Sequence, residues 1–328
     1  MALSLTGALG WLGRRGTGAV ALSAFAGMVL PGLSSLARPF VSEAIFALLV
    51  LAFLKVDQTA VLARLRRPGL VLAASLWMML LLPTGAALLA AAAGLREVAP
   101  DLAMALFIVT AAPAIMSSPA FMYFLKLDGA LSLTVLALSM LLVPLTAPFT
   151  AYLILGETLP LDSLTLGLKL SGLLAGSMAV AALLRRLAGE ARIAAAQDVI
   201  SGGNVLLLFF FAIAVMDGVA ASFASRPLVS LGIVALTYAV SLTQAGLTLL
   251  VFAPALRRDA FVIAYSAGNR NMGLMVAALG GTLPDLAWLY FGLGQLPIYT
   301  LPYLLRPLAR RLTAATDAKQ TWQRPSPH

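Results

Sequence analysis

The chain contains no cysteine, and its only histidine, His328, is the last residue. Disulfides, thiolate metal sites and histidine-based metal sites are therefore excluded, and so is nucleophilic catalysis through a cysteine or a Ser–His pair. Charge is scarce as well: 11% of the 328 residues are charged, against about 25% in a soluble domain. No two acidic residues share one depth in an apolar segment, which removes an intramembrane aspartyl enzyme. No cofactor is expected. What remains is apolar: 61% hydrophobic residues and a mean hydropathy of +0.97. The lipid bilayer is the implied partner. The net charge of +9 does not point to nucleic acid, because basic residues lie in short gaps between apolar runs without interleaved aromatics.

The apolar runs divide into ten expected spans: 17–34, 39–56, 69–92, 102–125, 129–154, 163–184, 199–221, 228–253, 260–282 and 286–305. With the N-terminus in the cytoplasm, 17 of the 22 lysines and arginines fall on the inside and four outside, Arg270 being the remainder. Such an excess of cytoplasmic cations sets orientation. The reading is a multi-pass protein of the inner (plasma) membrane with both termini cytoplasmic. A cytoplasmic segment 1–16 precedes a membrane domain 17–309, and a polar tail 310–328 is expected to be disordered. Arg14-Arg15 ahead of an apolar run also resembles an export signal. The first helix of the domain is the preferred reading.

Ten spans split into two halves of five with opposite orientation, the inverted-repeat plan of many secondary transporters. The fourth and ninth spans then correspond, and both are interrupted. The fourth carries Pro113, Ser117, Ser118 and Pro119; the ninth carries Gly268, Asn269, Arg270 and Asn271. Arg270 sits about 16 Å along the helix from Asp259, near a bilayer midplane. A cation at that depth costs about 3 kcal/mol or more and needs a polar partner. Irregular backbone there survives only inside protein or against water. Broken helices also expose N-termini that suit an anionic group.

These stretches resemble the bile acid:sodium symporter family. Ala112-Pro113, Ser118, the run Lys126-Leu-Asp128-Gly-Ala130-Leu-Ser132-Leu, Ser139 and the pair Pro144 and Pro148 follow the family's fourth and fifth spans. Ser266-Ala-Gly268-Asn-Arg270-Asn271-Met-Gly-Leu274 follows its Glu-x-Gly-x-Gln-Asn-x-x-Leu crossover. The resemblance implies an all-α fold of ten helices in two inverted repeats. Spans 1, 2, 6 and 7 would form a panel domain; spans 3–5 and 8–10 would form a core in which the broken helices cross.

It also implies two sodium sites beside the crossing, and here the chain departs. The shared glutamate falls on Ser266, the crossover glutamine on Arg270, an asparagine on Pro119 and a third-span glutamine on Met78. Ser118 and Ser132 remain as ligands, while a threonine becomes Leu136. Sodium needs several hard oxygens, so these sites read as degenerate, with Arg270 a built-in cation donating to backbone carbonyls or to Ser117, Ser118 or Ser132. Ser117, Ser118, Asn269, Arg270, Asn271 and the panel residue Asn204 are the expected contacts of a small organic anion, with Pro113, Pro119 and Gly268 shaping the crossover. Gln244, Asn204 and Gln295 otherwise read as interhelical hydrogen-bonding residues. The expected function is secondary transport of such an anion by alternating access, not sodium-coupled and not enzymatic. The alternative is a sensor or partner-binding membrane protein on a degenerate transporter fold.

Overall fold

The computed structural model describes residues 27–56, 58–66, 68–156, 162–280 and 283–311. The segment 1–16, most of the first expected span and most of the tail lie outside these residues. Among the described residues the secondary structure is helical, apart from one isolated antiparallel bridge between Ala114 and Arg270. Six helical runs are long and apolar enough to cross a membrane: Gly32–Lys55, Gly69–Ala92, Gly129–Leu155, Ser163–Ala188, Gln197–Ser225 and Pro227–Val251.

The helices are α1 (Pro31–Ala37), α2 (Val41–Lys55), α3 (Gln58–Leu65), α4 (Gly69–Leu76), α5 (Leu82–Ala92), α6 (Leu95–Val98), α7 (Pro100–Ala111), α8 (Ser118–Phe124) and α9 (Gly129–Leu155). They continue as α10 (Ser163–Ala188), α11 (Glu190–Ala195), α12 (Gln197–Ala214), α13 (Val219–Ser225), α14 (Pro227–Val251), α15 (Arg257–Gly268), α16 (Met272–Leu279), α17 (Asp285–Leu293) and α18 (Gln295–Leu304). Their starts are written in the sequence. Pro100 and Pro227 sit in the first turns of α7 and α14, where the missing N–H costs nothing. Asp128 accepts from the backbone N–H of Leu131 at 2.7 Å, and Asp162 from that of Thr165 at 2.9 Å, capping α9 and α10.

Helix α9 shows how one sequence serves lipid and protein at once. Leu141, Leu145, Phe149 and Tyr152 form an exposed stripe, while Val143, Ala147 and Ala151 are buried on another face. Spacing by three and four residues separates the two faces. Pro148 has no N–H, so the carbonyl of Pro144 lacks its usual helix partner. Gly167 of α10 packs against that carbonyl so closely that an added Cβ would lie 2.9 Å from it.

The fourth and ninth expected spans are both broken. Extended backbone at Ala112 ends α7, and α8 begins at Ser118; α15 ends at Gly268, and α16 begins at Met272. Residues 260–279 are buried throughout, so the second broken span runs through the protein interior. Two irregularities go beyond the expected ones. A π-helical turn, Trp77–Leu81, interrupts the third span, and Gly294 separates α17 from α18 in the tenth.

Candidate functional site: the crossing of two broken helices

The two breaks meet. The backbone N–H of Ile115 donates to the Asn269 carbonyl at 3.0 Å, and that of Asn271 donates to the Pro113 carbonyl at 2.8 Å. Ser139 of α9 buttresses the strand-like piece, its Oγ accepting from the Ala114 N–H at 3.2 Å. Backbone groups that neither helix can satisfy thus satisfy one another, as a dry interior requires.

Arg270 lies at this bridge with a relative exposure of 1%, the largest of the fully buried side chains. Its Nε donates to the Ala267 carbonyl at 2.8 Å and to Gln244 Oε1 at 3.1 Å. Nη1 donates to the Ala112 carbonyl at 3.0 Å and approaches Met79 Sδ at 3.9 Å; Nη2 donates to the Met78 carbonyl at 3.1 Å.

Each of these carbonyls is free for a sequence-encoded reason. Ala112 stands beyond the last turn of α7. Ala267 would normally accept from Asn271, whose N–H goes to Pro113 instead. Met78 loses one possible donor because the Leu82 N–H reaches back to Trp77, and another because residue 83 is a proline. The guanidinium fork therefore collects orphan acceptors from three separate chain segments. Two of them belong to C-terminal ends of half-helices, where partial negative charge accumulates and a cation is favoured.

The serines expected as its alternative partners are engaged with each other. Ser118 Oγ is 2.8 Å from Ser132 Oγ and 3.1 Å from Ser266 Oγ, and Ser266 also donates to the Val262 carbonyl at 3.0 Å. All three are fully buried. Ser117 differs: it is exposed at the start of α8 and takes no part in this cluster. Asn204 is half-buried on α12, and among the described residues no hydrogen bond of its side chain to the crossing is found. Leu136 is buried, and its carbonyl accepts from Ser139 Oγ. Pro119 lies in the first turn of α8.

The N-terminal ends at the crossing are arranged differently. Neither Ser117 at the start of α8 nor Asn271 at the start of α16 makes a side-chain cap bond. Asn271 is 9% exposed and its Nδ2 has no partner; Asn269 donates to the Tyr265 carbonyl while its Oδ1 has none. Asn271 Oδ1 and Ile45 Cδ1 of α2 both lie 3.4 Å from where a Gly273 Cβ would sit. The start of α16 therefore faces α2 across a close packing contact.

Gly268 is fixed by contact. An added Cβ would lie 2.7 Å from the Ser241 carbonyl oxygen and 3.0 Å from Ala245 Cβ. Gly268→Ala should therefore push α14 from α15 and destabilise the protein by roughly 1–3 kcal/mol, measurable by detergent-phase unfolding. An unchanged unfolding midpoint would show that the two helices are less tightly seated.

No curated protein sequence matches the chain. Residues 44–189 match the model of the Sodium Bile acid symporter family. The matched stretch takes in Met78, Ala112, Ser118 and Ser132 and ends before Arg270. Over residues 44–189 the chain is similar to the sodium bile acid symporter family, a family of membrane transporters, and its six long apolar helical runs suit a multi-pass membrane protein.

Proposed function

We propose that the protein is a secondary transporter of a small organic anion, working by alternating access and without sodium coupling. The observation that carries this reading is the enclosure of the Arg270 guanidinium at two C-terminal half-helix ends. A cation is needed there electrostatically. In a sodium-coupled relative a dissociable ion would fill the need and couple its gradient to transport. A covalently attached cation cannot leave, so no ion gradient is transmitted through that position. The carboxylate that would draw sodium is absent, since Ser266 stands where the family places glutamate.

The opposite ends of the same breaks suit the substrate. The uncapped start of α16 and the unpartnered Nδ2 of Asn271 offer donors to a carboxylate or sulfonate. Arg270 then acts from behind, as a brace that sets the crossing. Packing supports two moving bodies. Helices α1, α2, α10 and α12 pack on one another, and α4–α5, α7–α9 and α14–α17 pack on one another; α2 and α10 meet the second group chiefly at α9 and α16. Rocking at that seam would open Asn271 to one side and then the other. The protein would lie in the inner membrane with both termini cytoplasmic, as the distribution of cations implies.

Uptake of labelled carboxylates into proteoliposomes tests the reading. Saturable uptake of at least one should persist when sodium is replaced by potassium. Asn271→Ala should lower that uptake by about tenfold, the worth of one charge-assisted hydrogen bond, with the unfolding midpoint retained. Uptake that requires a sodium gradient would contradict the proposal.

A further inference from the structure

Three of the long apolar helical runs have ends that meet away from the crossing. Lys55 closes the first of them, Ala188 closes the fourth, and Gln197 opens the fifth. Between these ends is an open recess of about 390 Å³, lined by Lys55, Thr59, Arg185, Glu190, Ile193 and Gln197 among others. Helices that cross a bilayer end at its headgroup layer, which sets the depth of the recess. It is on the side that the distribution of cations assigns to the cytoplasm. Apart from Thr59 of the connecting helix α3, these residues stand on α2, α10, α11 and α12. The recess therefore belongs to the first helix group and not to its seam with the second.

Its charge is unbalanced. Lys55 Nζ donates to the neutral Ser201 Oγ at 3.1 Å and forms no ion pair with an acidic side chain among the described residues. Arg185 is fixed by the end of α2, where helix carbonyls lack partners. Its Nη2 donates to the carbonyls of Leu54 at 2.9 Å and Val56 at 3.3 Å. Its Nη1 reaches Glu190 Oε1 at 3.3 Å, but that carboxylate is 74% exposed, and a pair so open to water neutralises little. Arg186 and Arg192, both exposed, stand on the same ends of α10 and α11. Glu190 is the one carboxylate among the lining residues; Asp198, exposed in the first turn of α12, is not among them. Beside the charges the surface is apolar. Ile193 seats α11 on Val50, Leu54 and Ala181, and Leu183 and Leu187 are exposed in the last turns of α10.

We propose that this recess binds one anionic phospholipid of the cytoplasmic leaflet, of the phosphatidylglycerol type. The phosphodiester would take Lys55 and the edge of Arg185, a headgroup hydroxyl would take Gln197, and the acyl chains would run along Leu183 and Leu187. Basic pockets at the cytoplasmic ends of membrane helices recognise such headgroups by charge. A free phosphate would gain the charge contacts without the apolar ones, so the lipid is the occupant. A lipid held here would fix the first helix group in the bilayer while the second moves. That consequence rests on the transporter reading above; the binding itself does not.

The full chain in dodecyl maltoside micelles is titrated at constant ionic strength with phosphatidylglycerol, phosphatidylcholine or inorganic phosphate, and bound lipid is counted by native mass spectrometry. Phosphatidylglycerol should bind saturably and more tightly than phosphatidylcholine. Lys55→Gln should weaken it about fivefold, the worth of one basic residue at an anionic surface, and Lys55→Arg should restore it. Lys169→Gln, which removes the same charge near the other end of α10, should leave binding unchanged. Equal binding of the two lipids, binding indifferent to Lys55→Gln, an equal loss in Lys169→Gln, or displacement of the lipid by millimolar phosphate overturns the proposal. Uptake is measured separately: lipid binding without uptake of any carboxylate contradicts transport and leaves this site standing, whereas uptake without lipid binding removes this site alone.

Discussion

Arg270→Met should lower the stability of the folded protein by about 3 kcal/mol, read from unfolding in a mild detergent. The substitution keeps an apolar stem of similar reach but removes every donor. The carbonyls of Met78, Ala112 and Ala267 are then left in a dry interior, at a cost of about 1 kcal/mol or more each. Removing a buried charge offsets part of this loss, because among the described residues the guanidinium has no acidic partner and pays for its desolvation with neutral acceptors alone. Arg270→Lys should fall in between. An ammonium keeps the charge, but a single nitrogen cannot span acceptors that the planar fork reaches from three segments. A loss below about 0.5 kcal/mol in Arg270→Met would show that the crossing holds without its brace.

The second large effect is a gain. Arg270→Gln combined with Ser266→Glu should make the protein respond to sodium. The double substitution removes the fixed cation and adds a carboxylate beside Ser118 and Ser132, whose hydroxyls already meet Ser266 or its neighbours within 3.1 Å. The half-helix ends at Ala112 and Ala267 would again need a cation. Sodium at about a hundred times its dissociation constant would then stabilise the folded state by about 2.7 kcal/mol. Potassium and choline at equal ionic strength should not. Arg270→Gln alone should be destabilised without this rescue, because the anion is still missing.

The breaks at Pro113–Pro119 and Gly268–Asn271 are legible in the sequence because proline, glycine and asparagine act on the backbone of their own segment. The depth of Arg270 is legible because no other charge lies near it in the chain. Its partners were harder to read, since three of them are backbone carbonyls, which residue identity does not mark. Met78 reads as a lost side-chain ligand, yet its contribution is a carbonyl freed by a π-helical turn and by Pro83. That proline, five residues on, is the signal that points to it. Gln244 reads as a hydrogen-bonding residue between helices, and it does bond across helices, to Arg270 itself. Ser117 and Ser118 look alike as neighbours. About 100° of helical rotation separates them, so Ser118 is buried in the serine cluster and Ser117 faces outward. The break at Gly294 is masked by apolar flanks. An added Cβ there would meet the Met272 side chain and the Tyr290 carbonyl, a tertiary contact that hydropathy does not register.

The account turns on whether a permanent cation has replaced a dissociable one at the crossing. Titration of the unmodified protein with sodium chloride, followed by thermal unfolding at ionic strength held constant with choline chloride, addresses this most directly. The expected result is an unfolding midpoint that does not depend on sodium across the millimolar range. A saturable rise in the midpoint with sodium, absent with potassium, would contradict it.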